Sequence, residues 1–239
     1  MNYVGIDFSL NSPGICIHKS QSDEFTWVSI TRSDRTQESL QKTKDKPFAI
    51  LGEVKNFELI FNQRKEFSEN YTQRETEKIL FFSDLADEIM KKVEELSPGN
   101  SIFAMEGLSF SSNGNSLIDI SMATAILRGK IISKYGPNSL LIFSPAAIKK
   151  YACKGNAKKD QMYDALIEKH PDNIFSNLLN ANRNNWITPK LQINKPIDDL
   201  VDATWITLFL KDTIEGNLKE IETKKKKTIK KNTKKQKIE

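Results

Sequence analysis

The chain has 239 residues, 38% of them apolar and 28% charged, which is enough to bury one sizeable core. No run approaches the roughly 20 apolar residues of a membrane span, and the start does not read as a secretory leader. Two cysteines and two histidines (Cys16, Cys153, His18, His170) are too few and too scattered for a zinc site or a disulfide framework, so a reducing, cytoplasmic setting is expected.

The net charge of +5 is uneven, because residues 219–239 hold ten lysines against three glutamates, a net of +7, which leaves −2 for the rest. Such a run has almost nothing to bury and reads as disordered. It suits nonspecific attraction to phosphate backbones, or a solubilising tail, or a nuclear address. A folded body over 1–212 and a lysine-rich tail over 213–239 are the expected divisions.

In chain order, "NYVGIDF" (2–8) reads as a strand that ends on an aspartate, Asp7. "SLNSPG" is a turn, "ICIHK" returns as a second strand, and "EFTWVSITR" (24–32) is a third. The sequence predicts an antiparallel meander. Residues 33–47 are polar and read as a loop, 48–55 allows a short helix, and 57–61 reads as strand. Between Gln73 and Leu96, Ile79, Phe82, Leu85, Ala86, Ile89 and Val93 recur at helical spacing. "SIFAMEGLSF" from 101 is a strand with Glu106 after its apolar run. A helix over 116–134, a strand at "SLLIFSP", a short helix at "AAIKKYA" and a helix over 158–169 follow. Residues 171–195, rich in Asn and Pro, show no clear pattern. "PIDDLVDATWITLFLKDTI" is a helix with Pro before it and acids in its first turn. The order predicts an α/β chain with antiparallel strands first and parallel crossovers after.

Four acids stand out. Asp7 and Glu106 end strands, and Asp199 and Asp202, three apart on the last helix, share a face. Functional groups in α/β sheets collect at strand ends and the adjoining helix termini. Each acid alone has a simpler local role, as an Asx turn at Asp7, a helix cap at Asp198 and Asp199, or a solvated face at Asp202. Together they form a self-repelling cluster, for which a divalent cation with hard oxygen ligands is the remedy.

Four blocks, "GIDFSLNSPGICI", "FAMEGLSF…ATAILRGKI", "SPAAIKKYACKGNAKKDQM" and "DDLVDATWITLFL", resemble in content and order those of RuvC-type Holliday junction resolvases of the RNase H-like superfamily. The resemblance implies an RNase H-like fold, with a mixed five-stranded sheet (a meander of three antiparallel strands plus parallel strands) flanked by helices. It implies two Mg²⁺ ions, replaceable by Mn²⁺, with Asp7 bridging them and Glu106, Asp199 and Asp202 as the other ligands. Asp199 is preferred over Asp198 by the D-x-x-D spacing. It aligns Lys159 and Lys149 with basic residues near the scissile phosphate, where ammonium groups offset developing charge; both also suit a solvated helix face. Lys158 and Lys154 are further candidates for phosphate contact. Phe110 either stacks on an unpaired base or packs in the core, and Arg128 either reaches DNA or caps its helix.

The implied activity is metal-dependent endonucleolytic cleavage of four-way junctions and other branched DNA, by a homodimer matching the two-fold symmetry of the substrate. The helices at 73–96 and 116–134 are candidate dimer faces. Departures from the pattern point to a phage or viral branch: Phe8 and Ser9 in the first block, the long stretch over 33–75, and the lysine tail. An RNase H-like nuclease for RNA–DNA hybrids and a non-catalytic branched-DNA binder are the competing readings. A sugar-kinase or actin-like ATPase is disfavoured, because "DFSLNSPG" is a poor phosphate hairpin and no Walker motif is present.

Overall fold

The computed structural model describes residues 1–33, 46–108 and 114–217; Phe110 and the lysine run lie outside these. Six strands and seven α-helices are described. The strands are β1 (Asn2–Asp7), β2 (Gly14–Lys19), β3 (Glu24–Ser33), β4 (Phe57–Gln63), β5 (Ser101–Glu106) and β6 (Leu140–Phe143). The helices are α1 (Pro47–Gly52), α2 (Tyr71–Leu96), α3 (Gly114–Tyr135), α4 (Pro145–Ala152), α5 (Lys159–Lys169), α6 (Ile174–Trp186) and α7 (Ile197–Ile214).

The sheet order is β4-β3-β2-β1-β5-β6. β2 is antiparallel to both of its neighbours, while β1–β5, β5–β6 and β3–β4 are parallel pairs. The meander and the parallel crossovers are thus as the sequence predicts, but the sheet has six strands rather than five. The sixth is β4, whose Phe57–Gln63 pairs with Trp27–Ser33 of β3. Its strand character is visible locally; its partner, beyond a long polar segment, is not.

Alternation along the strands divides the core. Val4 and Ile6 of β1, Ile15 and Ile17 of β2, and Phe103 and Met105 of β5 pack on the α2–α3 side. Tyr3, Cys16, Trp27 and Ala104 pack on the α4–α7 side. A period of two is what places consecutive side chains on opposite faces. α7 is buried almost all round, from Ile197 through Leu210 except Asp202. It lies so close to the sheet that a Cβ added at Gly5 would stand 2.6 Å from the Ala203 carbonyl oxygen, and one added at Gly14 would stand 2.6 Å from that of Asp199. Two glycines therefore let the helix seat on β1 and β2. Thr207 donates to the Cys16 carbonyl at 3.0 Å, and the Trp27 indole donates to Thr204 at 2.9 Å.

α6 falls in the stretch the sequence leaves unassigned. Phe175, Leu179 and Trp186 supply its buried face, while its many asparagines give it a weak intrinsic helix preference.

Candidate active site

β1 and β5 are adjacent and parallel, with Ile6 level with Met105. Their next residues, Asp7 and Glu106, therefore reach the same edge of the sheet. α7 runs antiparallel to β1: Asp199 lies against Gly14, which pairs with Asp7, while Thr207 lies against Gly5. The first turns of α7 are thereby brought to the two strand-end carboxylates. Carboxylates at a helix N-terminus also gain from its partial positive charge.

Asp7, Glu106, Asp202, Lys149 and Lys159 line one cleft of about 270 Å³, with Ile148, Met162 and Ile206 as its apolar wall. A smaller cavity of about 140 Å³ touches Asp7 and Glu106 from the α3 side, bounded by Phe8, Leu117, Ile120 and Thr124. A larger one, of about 510 Å³, lies around His170, Lys211 and Asp212 towards the far end of α7 and contains none of these acids.

Lys159 Nζ stands 3.0 Å from both Asp198 and Asp202. Its position follows from α5, which is tied to α7 where the Trp205 indole donates to the Met162 carbonyl at 3.0 Å. Lys149 is carried by α4, which opens on Ser144 as N-cap followed by Pro145. Asp199 is not part of the cleft lining, but its charge acts on Asp7 beside it. It accepts from Ser12 Oγ at 2.5 Å and pairs with Lys195, which also lies 3.2 Å from Asp198.

The electrostatics are those of crowded acids. Burial raises the Asp7 carboxyl well above its usual range, and the charges of Asp202, Asp199 and Glu106 add to this against Lys159. Burial, then Asp202, raises Glu106; burial, then Asp198, pushes Asp199 up to about 6. Burial works against the charge of Lys159, but Asp202 and Asp198 hold its ammonium above the ordinary lysine value.

The structure thus brings together Asp7, Glu106, Asp202, Lys149 and Lys159, with Asp199 behind them. Lys158 and Lys154 are exposed and do not line the cleft, one preceding α5 and the other following α4. Arg128 is half-buried and donates through Nη2 to the Glu106 carbonyl at 2.9 Å. This contact ties α3 to the end of β5. Phe110 lies outside the described residues. Sequence reasoning missed Ser12 and Lys195. Lys195 had a readable signal, since it stands three and four residues before Asp198 and Asp199.

Among the described residues no acids already stand in a metal-ligating arrangement; lysine ammonium groups pair with Asp198, Asp199 and Asp202. The donor set nonetheless suits a hard divalent ion. It is all carboxylate oxygen, acids outnumber the cations facing them, and burial with mutual repulsion favours any cation that enters.

Comparison with protein-family models finds no match, and comparison with curated proteins finds none. Among solved structures the chain is similar to Thermus thermophilus RuvC, with a TM-score of 0.46 and 11% identity over 87% of this chain and 92% of that one. For T. thermophilus RuvC in complex with Holliday junction substrate the values are 0.45, 10%, 89% and 96%. For the yeast mitochondrial Holliday junction resolvase Ydc2 they are 0.42, 14%, 85% and 76%. The fold of this chain is the mixed six-stranded α/β arrangement described above. Its meander, its parallel strands beyond β1 and its two helical faces are those expected from the sequence blocks. This frame sets acids from β1, β5 and α7 at one sheet edge.

Proposed function

We propose that the protein is a metal-dependent endonuclease for branched DNA, with four-way junctions as its principal substrate. The observation that carries this is the meeting of Asp7, Glu106 and Asp202 with Lys149 and Lys159 in one cleft, on a chain whose sequence blocks resemble RuvC-type resolvases. Asp7, Glu106, Asp202 and Asp199 would hold Mg²⁺, with Mn²⁺ as a substitute. Bound there, two such ions supply charge stabilisation for the attacking and leaving oxygens of phosphodiester hydrolysis.

The chain's own contributions follow from the cleft. Lys159 keeps its proton through the neutral range and presents a cation at the phosphate. Lys149 adds a second positive charge on the same wall. Ile148, Met162 and Ile206 exclude water on one side, which strengthens each charge interaction within. Arg128 fixes the main chain at Glu106, and Ser12 with Lys195 fixes Asp199. Lys154 and Lys158 extend the positive surface towards the flanking backbone. A homodimer would supply the paired cuts that a two-fold junction needs.

The test offers end-labelled four-way junction, three-way fork, linear duplex and RNA–DNA hybrid to the protein with Mg²⁺. Paired nicks in the junction are expected, with weaker cutting of the fork and little of the duplex. Cutting of the hybrid alone would move the assignment to an RNase H-like activity. Binding of junctions without any cleavage would make the protein a scaffold.

A further inference from the structure

Asp198 does not line the carboxylate cleft. It lies in the first turn of α7 with 10% of its side chain exposed. Its Oδ1 accepts from the Asp199 amide at 3.0 Å. Its Oδ2 takes two ammonium groups, Lys159 Nζ at 3.0 Å and Lys195 Nζ at 3.2 Å. Each of these lysines has a second acid. Lys159 also stands 3.0 Å from Asp202, and Lys195 also pairs with Asp199. Asp198 is therefore shared by two cations whose other partners are the two members of the D-x-x-D pair.

A helix start does not require this. An acid in the first turn gains from the free amides and the helix dipole without any lysine. Three donors also take most of the roughly four acceptor positions of a carboxylate, which leaves Asp198 little capacity to bind a further cation itself. The two lysines reach it from different elements: Lys159 opens α5, and Lys195 precedes the Pro196 that caps α7. Once Asp199 and Asp202 turn to a divalent cation, each lysine loses one of its acids and meets a like charge. Both lysine side chains are about half-exposed, so an ammonium group that loses its acids can swing out into water. The charge count points the same way. Asp7, Glu106, Asp199 and Asp202 balance two divalent ions, and Asp198 is the acid left over for the two lysines.

We propose that Asp198 is a positioning residue that retains the Lys159 and Lys195 ammonium groups while Asp199 and Asp202 hold a divalent cation. Lys159 is thereby kept on the cleft wall to face the phosphate, instead of staying on Asp202 or leaving for solvent. Asp198 acts through the two lysines and not as a metal ligand. The inference rests on the metal-dependent nuclease reading of the cleft.

The test has two arms on the full-length protein: calorimetric titration of Mg²⁺ without DNA, and single-turnover cleavage of a pre-bound four-way junction at saturating Mg²⁺. Unfolding midpoints establish that each variant is folded. Asp198→Asn is expected to weaken Mg²⁺ binding on the order of 10- to 100-fold, the range for residues that orient a metal's ligands, because both ammonium groups then fall back on Asp199 and Asp202. Asp198→Asn/Lys195→Gln removes one charge of each sign and should recover most of that affinity. Asp198→Asn/Lys149→Gln has the same net charge but keeps both lysines, and should stay weak. In cleavage, Asp198→Asn should lose about as much as Lys159→Gln, and the two together no more than either alone. Equal recovery by both double variants, recovery by neither, or an Asp198→Asn protein with a lower midpoint and unchanged Mg²⁺ affinity overturns the inference and leaves the nuclease reading standing. The expected Mg²⁺ pattern without cleavage of any junction upholds the role of Asp198 and removes the nuclease. Wild type that takes up no Mg²⁺ removes both.

Discussion

Asp7 sits half-buried beside Asp202, Asp199 and Glu106, with Lys159 the cation acting against their repulsion. A carboxylate serving only as a turn cap would stabilise the fold, and its loss would weaken it. A carboxylate kept as a metal ligand should do the reverse in metal-free protein. Asp7→Asn is therefore expected to stabilise the metal-free protein by about 1 kcal/mol, a rise of ~2–4 °C in midpoint. It should also diminish the further rise that Mg²⁺ gives the wild type. A lower midpoint for Asp7→Asn would return Asp7 to a structural role. His18 offers a separate reading at this scale. It is 1% exposed, with Nε2 2.7 Å from Asp23 and Nδ1 unpartnered among the described residues. Burial lowers its pKa, against the hydrogen bond to Asp23. A histidine with a depressed folded pKa binds its proton more readily in the unfolded chain. Its contribution is present above the unfolded value of about 6.5 and lost as pH falls through the folded one. His18→Phe should flatten the acid limb of stability, by up to ~1.4 kcal/mol per pH unit over that window. Urea unfolding of both proteins at neutral and mildly acid pH checks this.

The helix α7 does most to assemble the site, and it does so by closeness. A side chain at Gly14 would meet the Asp199 main chain at 2.6 Å, and one at Gly5 would meet the Thr207 hydroxyl. Neither neighbour is a flexible side-chain end that can swing clear. Gly14→Ala should destabilise the protein by about 1–3 kcal/mol, measured by urea unfolding. It should also depress cleavage more than the stability loss explains, because it shifts the acids of α7 against Asp7. Wild-type stability and cleavage would mean that α7 tolerates displacement.

Much of this level was legible in the sequence. β1 and β5 are apolar runs that end on an acid, and the D-x-x-D spacing lies on a helix whose apolar residues continue without a polar stripe. What was not legible depends on partners distant in the chain. β4 looks like a strand, but nothing local says that it pairs with β3. α6 is held by Phe175, Leu179 and Trp186 against an asparagine-rich composition. Arg128 looks like a surface cation until the Glu106 carbonyl is placed beside it, and Gly5 and Gly14 look like ordinary strand and turn glycines until α7 lies on them.

At the scale of the whole molecule, charge is separated by region. The acids gather in the cleft, cations flank it on α4 and α5, and the lysine run occupies the last residues of the chain. We expect deletion of residues 219–239 to weaken DNA binding most at low salt and to reduce the salt slope, since each lysine on a phosphate releases counterions. An unchanged slope would make the run a solubilising or addressing segment.

The account stands or falls on the carboxylate edge as a site of phosphodiester cleavage. The most direct measurement is single-turnover cleavage of a pre-bound four-way junction after Mg²⁺ addition, by wild type and by Asp7→Asn shown to bind equally well. Cleavage by wild type, with a loss on the order of 10³-fold or more in the variant, is the expected result. Equal rates, or no Mg²⁺-dependent cleavage by wild type, would contradict it.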